Sequence, residues 1–302
     1  MTGKRKLAGA KASVKKVAAA RTDAIKFSHV DKVMFPGAGY TKGDLLDYYD
    51  RIADLLIPHL KDRPLTLERL PDGLTGGAGA PHFWQKNTPA YYPAFVKRVR
   101  LVDRSGKPVE YALVNDKRSL LYLVNQGTIT FHVFLSRLAS IERPDYVLFD
   151  LDPGERPFDD AVKIARAVHA ALDEEGVASF PKTSGKSGIH VLAAWRKRGG
   201  VYDEARAWAV RVAERVVAAL PDVATLERRI DARGGRLYLD VMQNAKGHHV
   251  VPPYVVRAVP AATVSAPLEW REMTARLSPG RFDIRSSLKR FEAKGDLMKA
   301  LL

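Results

Sequence analysis

Apolar and polar positions fall into a readable rhythm through the middle of the chain. Tyr146-Val-Leu-Phe149 is an unbroken apolar run, the pattern of a buried strand, and Pro153-Gly154 ends it. Asp159 stands where a helix cap is expected. Val162, Ala165, Val168 and Leu172 then recur at helical spacing until Gly176. Val177 to Thr183 reads as a second strand and Ile189 to Ala194 as a third. Asp203 to Leu220 reads as a strongly apolar helix stopped by Pro221, and Arg236 to Met242 as a further strand. The order strand–helix–strand–strand–helix–strand is that of a split β-α-β, ferredoxin-like sheet.

The flanking regions are less regular. Order is expected to begin near Phe27. Thr41-Lys42-Gly43-Asp44 matches a capping box with Asp at its third position. Leu45, Tyr49, Ile52 and Leu56 then predict a helix, closed by Pro58. Four glycines and two prolines punctuate residues 71–81, which read as a loop. Apolar positions around 119–138 suggest another helix, and Phe282 to Leu302 a last one packed on the outside. There is no internal repeat.

Composition narrows the class. The chain has 302 residues, 46% of them hydrophobic, enough for a large core in one domain or two packed lobes. It has no cysteine, which excludes disulfides and thiolate metal sites. No apolar run approaches the ~20 residues needed to span a membrane, and the basic N-terminus lacks a signal peptide's apolar stretch. The expectation is a cytoplasmic enzyme with no membrane contact.

Charge points to a polyanion. The formal net charge is +15. Residues 1–26 carry eight Lys and Arg against Asp23 alone, and the rest of the chain keeps +8, so the folded part is basic on its own account. Residues 1–24, Lys/Ala-rich without a sustained apolar face, read as a flexible basic arm or interdomain linker, and residues 25–302 as the domain. Nucleic acid is favoured over a soluble enzyme that happens to be basic.

The candidate chemistry begins at Phe149-Asp150-Leu151-Asp152-Pro153-Gly154. Residues two apart on a strand share a face, so Asp150 and Asp152 project side by side while Phe149 and Leu151 enter the core. Adjacent carboxylates repel unless a cation lies between them, and hard oxygen ligands suit Mg²⁺ or Mn²⁺. Asp240, in Leu237-Tyr-Leu-Asp240, is a third acid. With neighbouring strands ~4.8 Å apart, three carboxylates on adjacent strands can hold two metals ~3.5–4 Å apart. The competing reading is a solvated Asp-x-Asp at a strand end.

Thr183-Ser184-Gly185-Lys186-Ser187-Gly188-Ile189-His190 joins two predicted strands. Hydroxyls, a lysine and glycine-freed amides suit a triphosphate. It is not a Walker loop: the motif's first glycine would fall at Phe180, and a strand rather than a helix follows. A Gly-Ser hairpin with a surface histidine is the competing reading. Gln243, Asn244 and Arg257 can line a nucleotide pocket or simply be polar surface. His248-His249 is read as a surface or loop pair, because adjacent side chains on an extended chain point apart. His132, in an apolar segment, is read as a core histidine.

Taken in order, these motifs resemble the archaeo-eukaryotic primase superfamily, and within it the polymerase domains of bacterial ligase D enzymes. Asp150-Leu-Asp152-Pro-Gly is similar to that family's first metal motif, Ser184 to His190 to its nucleotide motif, and Asp240-Val-Met-Gln243-Asn244 with Pro253-Tyr254 and Arg257 to its third. Asp31-Lys32 to Pro36, Thr41-Lys42, Pro81 to Trp84 and Phe282 to Arg285 also fit, from about Phe27 to the C-terminus. The resemblance implies an α/β (α+β) fold, a primase-type catalytic core whose ferredoxin/RRM-like sheet packs on a second α/β lobe, with two Mn²⁺ or Mg²⁺ between the lobes.

It implies metal-ligand roles for Asp150, Asp152 and Asp240, and nucleotide-binding roles for His132, Ser184, Lys186, Ser187, His190, Gln243 and Arg257. Lys32 and Lys42 match lysines that hold a 5′-phosphate. Phe83 with Trp84 matches the aromatic position that stacks on template bases, and Arg69 and Arg233 fall in loops that touch template and end partner. The implied activity is template-directed nucleotidyl transfer: filling gaps and extending broken DNA ends, favouring NTPs and Mn²⁺, with untemplated addition, in the nucleoid beside Ku and a DNA ligase domain. Two departures stand out. Glu68-Arg69 replaces the Lys-Arg of many relatives, and Lys186 precedes Ser187 where relatives have the reverse order. A two-metal nuclease or phosphoesterase and a non-catalytic DNA-end-binding module are the alternatives.

Overall fold

The computed structural model describes residues 25–75, 81–195 and 198–302. The basic arm read over residues 1–24 therefore lies outside the described residues, as does much of the glycine-rich loop, of which 73–75 form a single 3₁₀ turn.

Strands β1 (Val33–Phe35) and β2 (Tyr40–Thr41) pair antiparallel and lead into α1 (Lys42–Arg51). The expected capping box is present: Asp44 N donates to Thr41 Oγ1 at 3.2 Å, and Thr41 N to Asp44 Oδ2 at 2.8 Å. The single helix read up to Pro58 is in fact two. It breaks at Ile52, and α2 (Ala53–Leu60) carries Pro58 inside it. Pro58 removes one N–H near the end of a short helix, and its carbonyl accepts from Arg137 Nη2 at 3.2 Å.

Next come β3 (Leu65–Arg69), β4 (Phe83–Gln85), β5 (Arg98–Val102) and β6 (Pro108–Ala112). The helix expected over 119–138 is corrected. Helix α3 (Lys117–Asn125), capped by Asp116, ends before a turn at Gly127, and Thr128–Phe134 is the strand β7. Its alternation Thr-Ile-Thr-Phe-His-Val-Phe has period two, but every residue is buried, so apolar spacing alone did not separate it from the helix before it. These strands with β13 (His249–Val250) form an antiparallel sheet in the order β13-β7-β3-β6-β5, with β4 also on β3.

The second sheet holds the elements read most clearly from sequence: β8 (Tyr146–Asp152), α4 (Phe158–Glu174), β9 (Ser179–Thr183), β10 (Ile189–Ala194), α5 (Tyr202–Ala219), β11 (Ala224–Thr225) and β12 (Leu237–Asp240). Its order is β11-β12-β8-β10-β9, in which β12-β8-β10-β9 are antiparallel neighbours arranged as in a ferredoxin-like sheet, and β11 adds a parallel edge. Helices α4 and α5 cover one face; Phe149 meets Trp208 of α5 with ring centroids 6.2 Å apart. The side chains of opposite parity are left for the other face. At the C-terminus the expected long helix is only α6 (Leu288–Lys294), flanked by 3₁₀ turns. No helix among the described residues is long and apolar enough to cross a membrane.

Candidate active site

Strand register assembles the acids. Asp240 on β12 is the Cα partner of Asp150 on β8, Asp150 is the partner of His190 on β10, and His190 is the partner of Lys182 on β9. Four chemically active side chains thus form one row across four strands, on the face away from α4 and α5. Asp152, two residues on, shares that face beside Tyr238. The pairing of Asp150 with Asp240 is the neighbour relation the sequence suggested.

Each acid is held by donors. His190 Nε2 lies 3.3 Å from Asp150 Oδ1. Burial pushes the Asp150 carboxyl up, but the neighbouring His190, Lys182 and Arg257 overcome this and hold it below the usual carboxylate range. Ser187 Oγ donates to Asp152 Oδ1 at 3.0 Å, and Gly154 N to the same oxygen at 3.2 Å. Asp240 accepts from Met242 N at 2.7 Å, Tyr238 OH at 3.2 Å and Gln243 Nε2 at 3.3 Å. No group of three His, Asp or Glu side chains among the described residues converges as a ready metal cage. The three carboxylates each meet their own donors. The donor set itself, all oxygen with an adjacent imidazole, fits a hard divalent cation.

The loop after β9 closes one side. Ser184 Oγ accepts from Lys186 N at 3.1 Å and Gly188 N at 2.9 Å, so the hydroxyl gathers two loop amides. Gly188 lies so close to β8 that a Cβ would meet Leu151 O at 2.2 Å, and Gly185, at φ +74°, leaves no room beside Arg257. Arg257 is buried and its Nη1 donates to Ser184 O at 2.7 Å; burial lowers its pKa. His132, Asp150, Asp152, Ser184, Lys186, Ser187, Gly188, His190, Gln243 and Arg257 all line one pocket of about 210 Å³, so most of the sequence-predicted site converges there.

Some expectations need correction. Asn244 does not face the pocket: buried, it accepts from Leu148 N at 2.8 Å and donates to Leu148 O at 2.7 Å, pinning the chain after β12 to β8. His249 is not a surface residue. It is largely buried on β13, packs on Phe134, and lines the pocket, and burial pushes its pKa down to about 3. His132 is buried as expected of a core histidine, yet it also lines the pocket. Arg69 lies at the end of β3 rather than in a loop.

Two residues were missed. Lys182 is fully buried, its Nζ 2.8 Å from His190 Nδ1 and 2.6 Å from Ser265 Oγ; burial, reinforced by Arg257, drives its pKa well below that of a free lysine. A lysine in mid-strand, between Pro181 and Thr183 of a buried segment, carried no sequence signal that separated it from a surface lysine. Glu68, noticed only as a departure, is buried with Oε2 3.8 Å from His132 Nε2 and Oε1 3.3 Å from His82 Nε2. Burial would raise its pKa, but contacts with His132 and Thr130 and the charge of Lys186 bring it down to about 2.

A second pocket, about 240 Å³, gathers Lys32, Lys42 and Arg69 with Ser28, His29 and Asn125. Lys32 Nζ is 2.8 Å from Asp72 Oδ1, and Lys42 Nζ donates to Ser28 O at 2.8 Å. Burial and the charge of Lys32 lower the Lys42 pKa to about 8. Phe83 and Trp84 on β4 are 49% and 53% exposed, open to a stacking partner, and Trp84 also meets the His132 ring at 5.0 Å. Arg233 lies apart on an exposed loop, over the Tyr238 ring.

A ferredoxin-like sheet bearing acids on its open face, beside a Gly-Ser-Lys loop and a buried arginine, defines a primase-type nucleotidyltransferase. The chain belongs to the LigD primase-polymerase domain family, whose model matches residues 41–298. It is 35% identical over 272 residues to the bifunctional non-homologous end joining protein LigD of Bacillus subtilis, covering 90% of this chain and 43% of that protein. It is 30% identical to the multifunctional LigD of Mycolicibacterium smegmatis, covering 93% and 36%. The chain thus spans less than half the length of these relatives. Among solved structures it is similar to the polymerase domain of Mycobacterium tuberculosis ligase D in complex with DNA, with a TM-score of 0.84 and 29% identity over 93% of this chain and 98% of that one.

Proposed function

We propose that this chain is a template-directed polymerase that fills gaps and extends DNA ends during double-strand-break repair by end joining, using NTPs in preference to dNTPs and able to add untemplated nucleotides. The observation that carries the proposal is the strand-registered row Asp240–Asp150–His190–Lys182, of which Asp150 and His190, with Asp152 alongside, line the same pocket as Ser184, Lys186, Ser187 and Arg257. Acids on one side and phosphate donors on the other suit transfer of a nucleotidyl group from a triphosphate.

Asp150, Asp152 and Asp240 are the residues that would hold two Mg²⁺ or Mn²⁺. Bound there, the cations would stabilise the attacking and leaving oxygens of an in-line phosphoryl displacement. The protein's own groups bind and orient. Arg257 and Lys186 supply fixed positive charge for the triphosphate, Ser184, Ser187 and His190 supply donors, and Gln243 and His132 border the space left for sugar and base. Phe83 and Trp84 offer a stacking surface for template bases. Lys32 and Lys42, with Arg69, offer a cradle for the 5′-phosphate at the far side of a gap, and Arg233 a contact with the duplex or a second end. Ku and a DNA ligase domain are the partners this role calls for, at the nucleoid.

The test is one assay: the protein with a labelled gapped duplex bearing a 5′-phosphate, NTPs and Mn²⁺. Templated extension is expected. Degradation of the label would identify a nuclease, and a mobility shift without chemistry would identify an end-binding module.

A further inference from the structure

Lys182 does not line the pocket, yet it is tied to the pocket through His190. The two are Cα partners on β9 and β10, with Lys182 Nζ 2.8 Å from His190 Nδ1 and 2.6 Å from Ser265 Oγ. The Ser265 hydroxyl donates its proton to Thr183 O at 3.2 Å, so its oxygen accepts from Lys182. A lysine amine carries at least two N–H bonds in either charge state, which leaves one for His190 Nδ1. On the far side of the ring, His190 Nε2 faces Asp150 Oδ1 at 3.3 Å, an acceptor-only carboxylate. A bare nitrogen there would set two lone pairs against each other, so the ring proton belongs on Nε2. Asp150 thus asks for the proton on Nε2, and Lys182 has an N–H free to complement the bare Nδ1.

We infer that Lys182 is a positioning residue: with Ser265 behind it, it locks His190 as the Nε2–H tautomer, so that the imidazole presents a donor to the pocket. The inference rests on the reading of His190 as a residue that meets nucleotide phosphates. Phosphate oxygens accept and do not donate, so only this tautomer is useful to them. Lys182 itself touches no substrate. Its full burial keeps water from competing for Nδ1, and its chain Ser265–Lys182–His190–Asp150 fixes the ring plane as well as the proton. Without Lys182 only the Asp150 contact at 3.3 Å would hold the proton on Nε2, and the Nδ1–H form would become accessible beside it.

The experiment reads the tautomer directly. Long-range ¹H–¹⁵N correlation spectra of the ¹⁵N-histidine-labelled protein are recorded without nucleotide, with His190 assigned through His190→Gln. In the wild type His190 is expected to carry its proton on Nε2 with Nδ1 bare. In Lys182→Met, similar in length but without donors, the Nδ1–H form appears, and in Lys182→Arg the Nε2–H form returns. In gap-filling kinetics Lys182→Met raises the nucleotide KM about tenfold, the scale of losing a well-directed hydrogen bond to a charged group, and leaves affinity for a 5′-phosphorylated gap unchanged. A wild-type His190 protonated on Nδ1 would overturn the inference, as would a Lys182→Met protein that keeps both the tautomer and the KM. If Lys182→Met does not fold, the wild-type spectrum and Ser265→Ala, expected to loosen the same lock, decide the question. A wild-type protein that shows the Nε2–H form but extends nothing would leave the lock in place and refute the polymerase reading instead.

Discussion

Around Asp150 the acids and bases at and behind the pocket occupy one row of a strand register, whereas in the pocket around Lys42 the cations are collected from a loop, a helix start and a strand end. Asp240, Asp150, His190 and Lys182 are Cα partners in turn, and their spacing is set by backbone hydrogen bonds. Lys32 precedes β1, Lys42 opens α1 and Arg69 ends β3, and each is held by its own side-chain contacts, to Asp72, Ser28 O and Gln126 O. The difference has a chemical sense. Chemistry on phosphorus needs groups fixed within fractions of an ångström, while capture of a phosphate by charge tolerates looser placement. It follows that the two pockets should fail separately when their residues are changed.

The largest effects belong to the register. Asp150→Ala and Asp240→Ala are each expected to lower gap extension at least ~100-fold, since the ~3 kcal/mol this represents is a modest share of what bound cations contribute to phosphoryl transfer. Thermal unfolding should show the fold intact, because removing one acid relieves repulsion on that face. Binding to a 5′-phosphorylated gap should be retained. Loss of both activities together would mean that the pockets are not independent.

Next come the lysines. Lys42→Ala should weaken binding to a gap with a 5′-phosphate about tenfold or more, the scale of hydrogen bonds to a charged group, and barely affect the same gap with a 5′-hydroxyl. Lys32→Ala should act in the same direction but less strongly, because Asp72 already competes for that ammonium. Direct binding titrations with the two gaps check both, and equal losses on the two substrates would reduce the lysines to general charge.

A smaller effect follows from pH. The Lys42 pKa is lowered to about 8 by burial and by Lys32. Phosphate favours the charged form, so preference for the 5′-phosphate should be full below pH 8 and decline as pH rises through it. The phosphate's own second ionisation, near ~6, is complete across that range and does not confuse the reading. A preference that is flat from pH 7 to ~9 would contradict the assignment of Lys42.

The two regions also differ in how much of them the sequence revealed. Asp150 and Asp152 were legible as a pair because strand alternation puts them on one face; Asp240 joined them only on the condition that its strand lay beside β8, which the register meets. Lys182 escaped the same strand logic, since Ser179-Phe-Pro-Lys-Thr183 mixes polar and apolar residues and gives no local sign that the lysine is buried. The pairing of Lys32 with Lys42 was reached only through resemblance, because no periodicity links a loop to a helix start, and the place of Arg69 beside them was not foreseen. The sheet of β3 and β7 was hidden for another reason: Thr66, Glu68, Thr130 and His132 put polar groups on a fully buried face, and a buried polar row does not show the contrast by which strands are recognised.

The smallest expected effect concerns residues 1–24. Removing this basic segment should make the log–log salt dependence of DNA binding shallower, by about 0.9 for each phosphate no longer neutralised, and lower affinity at low salt. Templated extension at saturating DNA and the preference for a 5′-phosphate should both remain. Paired salt titrations of the full and shortened chains measure the first, and extension assays the second. A shortened chain that folds but cannot extend at saturation would make the segment part of the catalytic machinery.

The central claim, that a strand-registered acidic pocket does the chemistry while a separate basic pocket holds the end, is tested most directly by a single variant. Asp152→Ala is assayed for extension of a labelled gapped duplex with NTPs and Mn²⁺, and in parallel for its binding preference between 5′-phosphate and 5′-hydroxyl gaps. Extension reduced by at least ~100-fold with the 5′-phosphate preference intact is the expected result. Near-normal extension by Asp152→Ala would contradict it.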